Sequence, residues 1–413
     1  MRFTTIFAFD EIWKKNLAVL SLAQFIAILG MMAAVPFLPN YVRELGVEGD
    51  ANVKTWSGLV FAGVYFSGLI MIPMWGSLGD KFGRKNMAVR AIFGLAISVA
   101  LMAFAQNITQ LFLLRILQGA LSGFIPASLA FVSANTPNEK SGFAIGILQS
   151  ANAAGNVLGP FLGGQFADAY GVRNVFLIIG GLCFIAGILV TFFIQEDTSV
   201  LDTKKGLRVL KNLRYVWERS DLRVIFIAII LTQTAIQITV PIFPFFVESK
   251  GAAADHLAGT TGNLFAIIAL FSIMLSPVFG KLNDKHKWYK ILVFTAPSAA
   301  AAIGLHIFAP DYYYLYPLRA MLGIALPGLI PCFYAALSKR SPGNIKSGIM
   351  GIASSGTLIG SLIAFTSSGY IAAYYGMDMV FIVSALFFTI VGVIAFWKIK
   401  YGNDKAEMGI ENI

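Results

Sequence analysis

Val175 to Phe193 reads Val-Phe-Leu-Ile-Ile-Gly-Gly-Leu-Cys-Phe-Ile-Ala-Gly-Ile-Leu-Val-Thr-Phe-Phe, nineteen residues without a charge or an amide. About 20 such residues are what an α-helix needs to cross the hydrocarbon core of a bilayer. Working outward from this run, the chain yields twelve predicted spans: 16–39, 56–75, 87–106, 109–134, 141–167, 172–194, 222–247, 258–280, 289–308, 312–337, 347–372 and 379–399. In hydrocarbon every backbone polar group must be paired within the segment, so runs this long are helices. Membrane strands would be about ten residues long and alternate in polarity. The fold class is therefore an all-α polytopic membrane protein with twelve transmembrane helices.

Composition agrees. The 413 residues are 57% hydrophobic and 13% charged, whereas soluble domains carry about 25% charged residues. A soluble protein and a disordered chain are both excluded. The net charge of +10 is not gathered into a basic stripe interleaved with aromatics, so no nucleic-acid partner is expected. Cys183 and Cys332 each lie in an apolar stretch and offer no disulfide framework. His256, His286 and His306 are far apart and form no nucleophile or metal constellation; neither an enzyme nor a metal site is expected. Asp10 and Glu11 precede the first apolar run and no small-residue cleavage site follows it, so the first span is expected to stay uncleaved.

Lysine and arginine orient the spans. With the N-terminus inside, twenty-five fall in inner segments and four in outer ones: Arg43, Lys54, Arg173 and Lys250. Both termini are thus expected in the cytoplasm. Residues 195–221 form the longest polar connection, rich in lysine and arginine. They divide the chain into an N-terminal six-helix bundle (1–194), a cytoplasmic linker with room for an interfacial amphipathic helix, and a C-terminal six-helix bundle (222–413).

The halves repeat one another. Val35-Pro36-Phe37-Leu38-Pro39 returns as Val240-Pro241-Ile242-Phe243-Pro244, offset by 205. Gly76-x-Leu78-x-Asp80-Lys81 returns as Gly280-x-Leu282-x-Asp284-Lys285, and Leu114-Arg115 with Gly119 as Leu318-Arg319 with Gly323, both offset by 204. Lys140-Ser141-Gly142 matches Lys346-Ser347-Gly348, and Tyr170-Gly171 matches Tyr375-Gly376. Six spans separate the partners, so both copies share one membrane orientation. Parallel repeats about an axis along the membrane normal are a repeat plan of secondary transporters, with the binding site near the midplane between them.

Three segments carry mechanism. The turn Gly76-Ser77-Leu78-Gly79-Asp80-Lys81-Phe82-Gly83-Arg84-Lys85 sets an acid between cations at membrane level, suited to a latch that exchanges ion-pair partners; a charged turn obeying the positive-inside bias is the alternative. Arg115 lies inside the fourth span and should face a cavity or partner, unless it snorkels to the outer interface. In the fifth span, Gly155-Asn156-Val157-Leu158-Gly159-Pro160-Phe161-Leu162-Gly163-Gly164 combines close-packing small residues with a proline that breaks the backbone ladder. The second half keeps Gly356, Gly360 and Ala364 but has Phe365 in place of the proline.

These segments, with Leu114-Arg115-x-x-Gln118-Gly119, resemble motifs A, B and C of the major facilitator superfamily, in order and at the expected helices. The fifth-span motif resembles that of its twelve-span drug/proton antiporters. Pro36-Phe37-Leu38-Pro39-x-Tyr41-Val42 and Trp56-Ser57-Gly58-Leu59-Val60-Phe61 look most like bacterial multidrug exporters. The resemblance implies export of small amphipathic compounds by alternating access, with a proton as counter-ion and no cofactor, from the inner membrane of a bacterium by a monomer. It implies that Asp80 and Arg84 form a charge latch of the outward-facing state. Arg115 would take part in proton coupling, and Gly155, Gly159 and Pro160 would shape the gate. A dedicated exporter of one metabolite or lipid-linked molecule, and an uptake symporter, are the rivals within transport; a membrane receptor is the rival outside it. The fifth-span motif argues against uptake.

One departure from that type matters. None of the 21 acidic residues falls in the middle of a span, and the first span offers only Gln24. Proton coupling would then run through Asp80 with Arg115, or through His306. A cavity with Arg115 and no fixed acid favours neutral, zwitterionic or anionic substrates. The amides Gln24, Gln118, Gln149, Asn152, Asn156, Gln233, Gln237 and Asn263 fall in spans 1, 4, 5, 7 and 8, which line the cavity in the superfamily; hydrogen bonding between helices is the other use for them. Tyr65, Phe245, Phe246 and Tyr334 are candidate aromatic walls, or core packing.

Overall fold

A computed structural model describes residues 12–196, 209–342 and 345–401; residues 197–208 of the expected linker lie outside them. The first bundle contains α1 (Ile12–Ala33), α2 (Leu38–Glu44), α3 (Asp50–Phe82), α4 (Arg84–Met102), α5 (Ile108–Leu121), α6 (Phe124–Asn135), α7 (Ser141–Tyr170) and α8 (Val172–Phe193). After α9 (Val209–Glu218), the second contains α10 (Ser220–Gln237), α11 (Phe243–Ser249), α12 (Leu257–Lys285), α13 (Trp288–Leu305), α14 (Leu315–Ala325), α15 (Ile330–Arg340), α16 (Lys346–Tyr375) and α17 (Met377–Tyr401). We refer to the end bearing α9 and the α3–α4 turn as the linker face, and to the end bearing α2 and α11 as the far face.

Among the described residues, eleven helical segments are long and apolar enough to cross a membrane. The twelfth is α7, whose apolar run is interrupted by Gln149, Asn152, Asn156, Gln165 and Asp168. A helix that polar belongs between other helices, and α7 packs between α1 and α12. Two expected spans are broken in the middle. Between α5 and α6 the chain turns at Gly123, whose φ of +116° favours glycine. Between α14 and α15 a short turn, Leu326–Gly328, contains Pro327, which has no N–H for a continuous helix. The equivalent position of the two breaks extends the repeat.

Lipid gives helices no hydrophobic reason to associate, so close backbone approach through small residues must hold them. The two seams between bundles are built this way, and they are copies of each other. In α3 against α16, a Cβ at Gly58 would strike the Phe365 carbonyl, and one at Gly369 would strike the Lys54 carbonyl. In α12 against α7, a Cβ at Gly262 would strike the Pro160 carbonyl, and one at Gly164 the Ala258 carbonyl. Adding the repeat offset to Gly58, Lys54, Gly164 and Pro160 gives Gly262, Ala258, Gly369 and Phe365.

All of these contacts lie toward the far face. On the same four helices toward the linker face, a Cβ at Gly76, Gly146, Gly280 or Gly351 would meet nothing within 4 Å. The helices touch at one end and diverge at the other. The structure is therefore closed at the far face and open at the linker face.

Candidate functional site

Polar contacts reinforce the far-side closure. Arg43 on α2 reaches Glu248 on α11 at 2.8 Å and lies 4.7 Å from the centre of the Phe245 ring. Arg43 and Glu248 are 205 residues apart, so equivalent positions of the two copies meet with opposite charge. Asp168, near the end of α7, accepts hydrogen bonds from the backbone N–H of Ala258 (3.2 Å) and of Gly259 (2.6 Å). These are two of the unpaired donors in the first turn of α12, which has no side-chain cap of its own. A carboxylate from one bundle thus caps a helix of the other, where the helix dipole also favours negative charge. Gln165 on α7 adds a bond to Asn263 on α12 at 3.3 Å.

Beneath the seams lies a cavity of about 250 Å³ between the bundles. Met31, Met32, Phe61, Phe265, Ile268 and Phe365 supply apolar wall; Tyr65, Arg115, Gln118, Asn156, Gln237 and Arg319 supply polar groups. Small residues set the positions of the arginines. Gly119 packs on the Val64 backbone and Gly323 on the Ile268 backbone, which brings α5 onto α3 and α14 onto α12 in equivalent ways. Phe61 stacks on Phe365 across the bundles at 5.4 Å, and Tyr65 leans on the same ring at 5.1 Å.

Both arginines are buried, at 6% exposure for Arg115 and 2% for Arg319. Arg115 donates from Nη1 to Gln118 Oε1 at 3.0 Å, while its Nε and Nη2 have no partner. Arg319 lies 3.3 Å from the centre of the Phe243 ring, and its Nε and Nη2 are also unpartnered. Removing an ion from water costs several kcal/mol after relaxation. A desolvated cation–π contact returns about 2 kcal/mol, and a hydrogen bond to a charged group about 1.5–3 kcal/mol. Each guanidinium is thus left with donor capacity that the protein does not satisfy, and no acidic residue lines the cavity among the described residues.

The other expected residues are placed as follows. Gln24 is buried and donates to the Leu148 carbonyl at 3.1 Å, fixing α1 on α7 rather than lining the cavity. Gln233 is used likewise, on Ser361 at 3.0 Å. Asn263 belongs to the far-side seam. Gln149 is exposed in the linker-side half of α7, Asn152 accepts from Asn156 at 3.0 Å, and Tyr334 bonds Ser354 at 3.3 Å; all three lie outside the lining of the 250 Å³ cavity. Gly155 and Gly159 pack on Ile28, Leu29 and Met32 within the first bundle. Pro160 lines the cavity and meets Gly262 across the seam.

Phe245 and Phe246 are buried toward the far face rather than in the cavity. Arg84 donates to the Ala130 carbonyl at 3.0 Å, within its own bundle. Its backbone N–H and that of Lys85 hold the Glu196 carboxylate, at 2.7 and 3.0 Å. Asp80 lies in the last turns of α3, and its side chain is outside the described set. His306 is fully buried behind Phe243, with Nδ1 2.7 Å from the Ala302 carbonyl and its ring on Phe381. Sequence reasoning did not anticipate Asp168 as a cap or the Arg43–Glu248 pair.

Two helical repeats closing on a central cavity from one side define a membrane transporter fold. Residues 20–312 and 225–409 match the family model of the Major Facilitator Superfamily, and the chain belongs to that superfamily. It is 35% identical over 379 residues to the multidrug resistance protein MdtG of Salmonella schwarzengrund, covering 90% of this chain and 92% of that one. With the MdtG of Salmonella typhimurium the identity is 34% over the same coverage. Among solved structures, the nucleoside transporter NupG matches 95% of this chain with a TM-score of 0.79 at 13% identity. A D-xylose-proton symporter matches 94% with a TM-score of 0.75 at 14% identity. These two show the fold.

Proposed function

We propose that this protein exports small amphipathic compounds, neutral, zwitterionic or anionic, by proton antiport, opening one central cavity alternately to each side. The observation that carries the reading is the arrangement of α3, α7, α12 and α16, closed over the cavity at the far face and parted at the linker face. Similarity to proteins named for multidrug resistance supports drugs as the exported class. The positive-inside bias makes the linker face cytoplasmic, with both termini inside, in the inner membrane of a bacterium. The protein works as a monomer. Asp80 with Arg115, or His306 beside the Phe243–Arg319 pair, carries the proton.

Flux in proteoliposomes under an imposed pH gradient tests this. A proton moving from the far face to the linker face drives substrate the other way, so acidifying the far side accelerates export and a protonophore abolishes the gain. Export indifferent to pH contradicts antiport. Substrate moving with the proton contradicts export and favours uptake.

A further inference from the structure

Arg115 and Arg319 occupy equivalent positions of the two repeats, 204 residues apart, and line one cavity from opposite bundles. Four of their nitrogens, Nε and Nη2 of each, are buried without a partner. A guanidinium remains charged in any protein environment, so two like charges face one low-dielectric space with no carboxylate among its described walls. Structures that bury a cation answer it with an anion or a set of acceptors. Here the protein supplies the Gln118 amide to one arginine and an aromatic face to the other. The missing acceptor is the ligand.

We propose that the cavity takes an amphipathic organic anion whose carboxylate, sulfonate or phosphonate head bridges Arg115 and Arg319. Charged oxygens matched to forked N–H donors form the strong class of hydrogen bond. The remainder of the ligand lies against Phe61, Phe265 and Phe365, which form the apolar wall. Because each arginine belongs to a different bundle, the bound head ties the two halves together at the level of the cavity. The proposal rests on the transport reading above and narrows its substrate class.

The test uses the purified full chain in phosphatidylcholine proteoliposomes with two probes of the same body: anilinonaphthalene sulfonate and its uncharged parent, phenylnaphthylamine. Protein-dependent flux of the sulfonate is expected to exceed that of the parent about tenfold. Arg319→Gln is expected to lower the sulfonate-to-parent ratio about tenfold, and Arg319→Lys to restore part of it. Arg115→Gln is expected to lower the same ratio, whereas an arginine acting only in proton coupling would slow both probes equally. Should Arg319→Gln fail to fold, competition by the sulfonate against parent flux in the unaltered protein reads the same preference. Equal flux of both probes, with a ratio untouched by either glutamine variant, overturns the anion proposal and leaves export standing. Absence of flux for both probes defeats the export reading itself. Suppression of sulfonate flux when phosphatidylglycerol replaces phosphatidylcholine assigns the arginines to a lipid headgroup and overturns the proposal. Suppression by sulfate alone, without any preference for the aromatic body, assigns them to inorganic anions and overturns it equally.

Discussion

Gly369→Val is expected to open the far face and to reduce transport at least about fivefold. The side chain has nowhere to go: its first carbon already collides with the Lys54 carbonyl and the Thr55 backbone of the opposite bundle. Backbone cannot swing aside as a flexible side chain would, so α16 must part from α3. Overpacking a close contact costs about 1–3 kcal/mol, and each 1.4 kcal/mol shifts the balance of two states about tenfold. Distances between spin labels at Glu48 and Ala253, both exposed on far-side loops, should lengthen in the variant. Gly164→Val at the symmetric seam should do the same. Gly351→Val, on the same helix as Gly369 but in open space, should leave the far-side distance unchanged. An unaltered far-side distance in Gly369→Val would show that the seam is not a moving contact.

Asp168→Ala is expected to push the same equilibrium toward far-side opening by about 0.5–2 kcal/mol, the range for losing a helix cap. That is about a two- to thirtyfold rise in the far-open to far-closed ratio. The closed state suffers because Ala258 and Gly259 keep their N–H groups at the protein–protein contact without an acceptor. In the open state those donors reach water, so the substitution costs little there. Asp168→Asn retains an acceptor oxygen and should lie between. Spin-label distances read the shift, and an equal closed population in wild-type and Asp168→Ala proteins would remove the cap from the gate.

The architecture was legible because it rests on averages over many residues. Twenty-residue apolar runs and a repeat of constant offset survive local irregularity, and the resemblance carried by Gly76–Lys85, Leu114–Gly119 and Gly155–Gly164 led to the superfamily in which the chain belongs. The cavity was only partly legible. Tyr65, Arg115, Gln118 and Gln237 reach it, but an amide in a span has two uses, and Gln24 and Gln233 were taken for joining helices. No sequence period distinguishes a wall from a joint, since both face away from lipid. The gate was harder still, because capping of α12 by Asp168 joins residues 90 and 91 apart through tertiary contact alone. One signal was available: superposing the repeats aligns Arg43 with Glu248 and Gly164 with Gly369. Opposite charges or paired glycines at equivalent positions near the symmetry axis are candidates to meet across it.

The direct measurement is a reversible lock on the far face. Arg43→Cys and Glu248→Cys place thiols at the pair that joins the bundles, and the native Cys183 and Cys332 are fully buried, out of reach of the reagent. A short bifunctional thiosulfonate should stop transport in the double variant, leave each single variant working, and be undone by a reductant. Turnover that continues while the two cysteines remain joined would contradict alternate opening of the cavity.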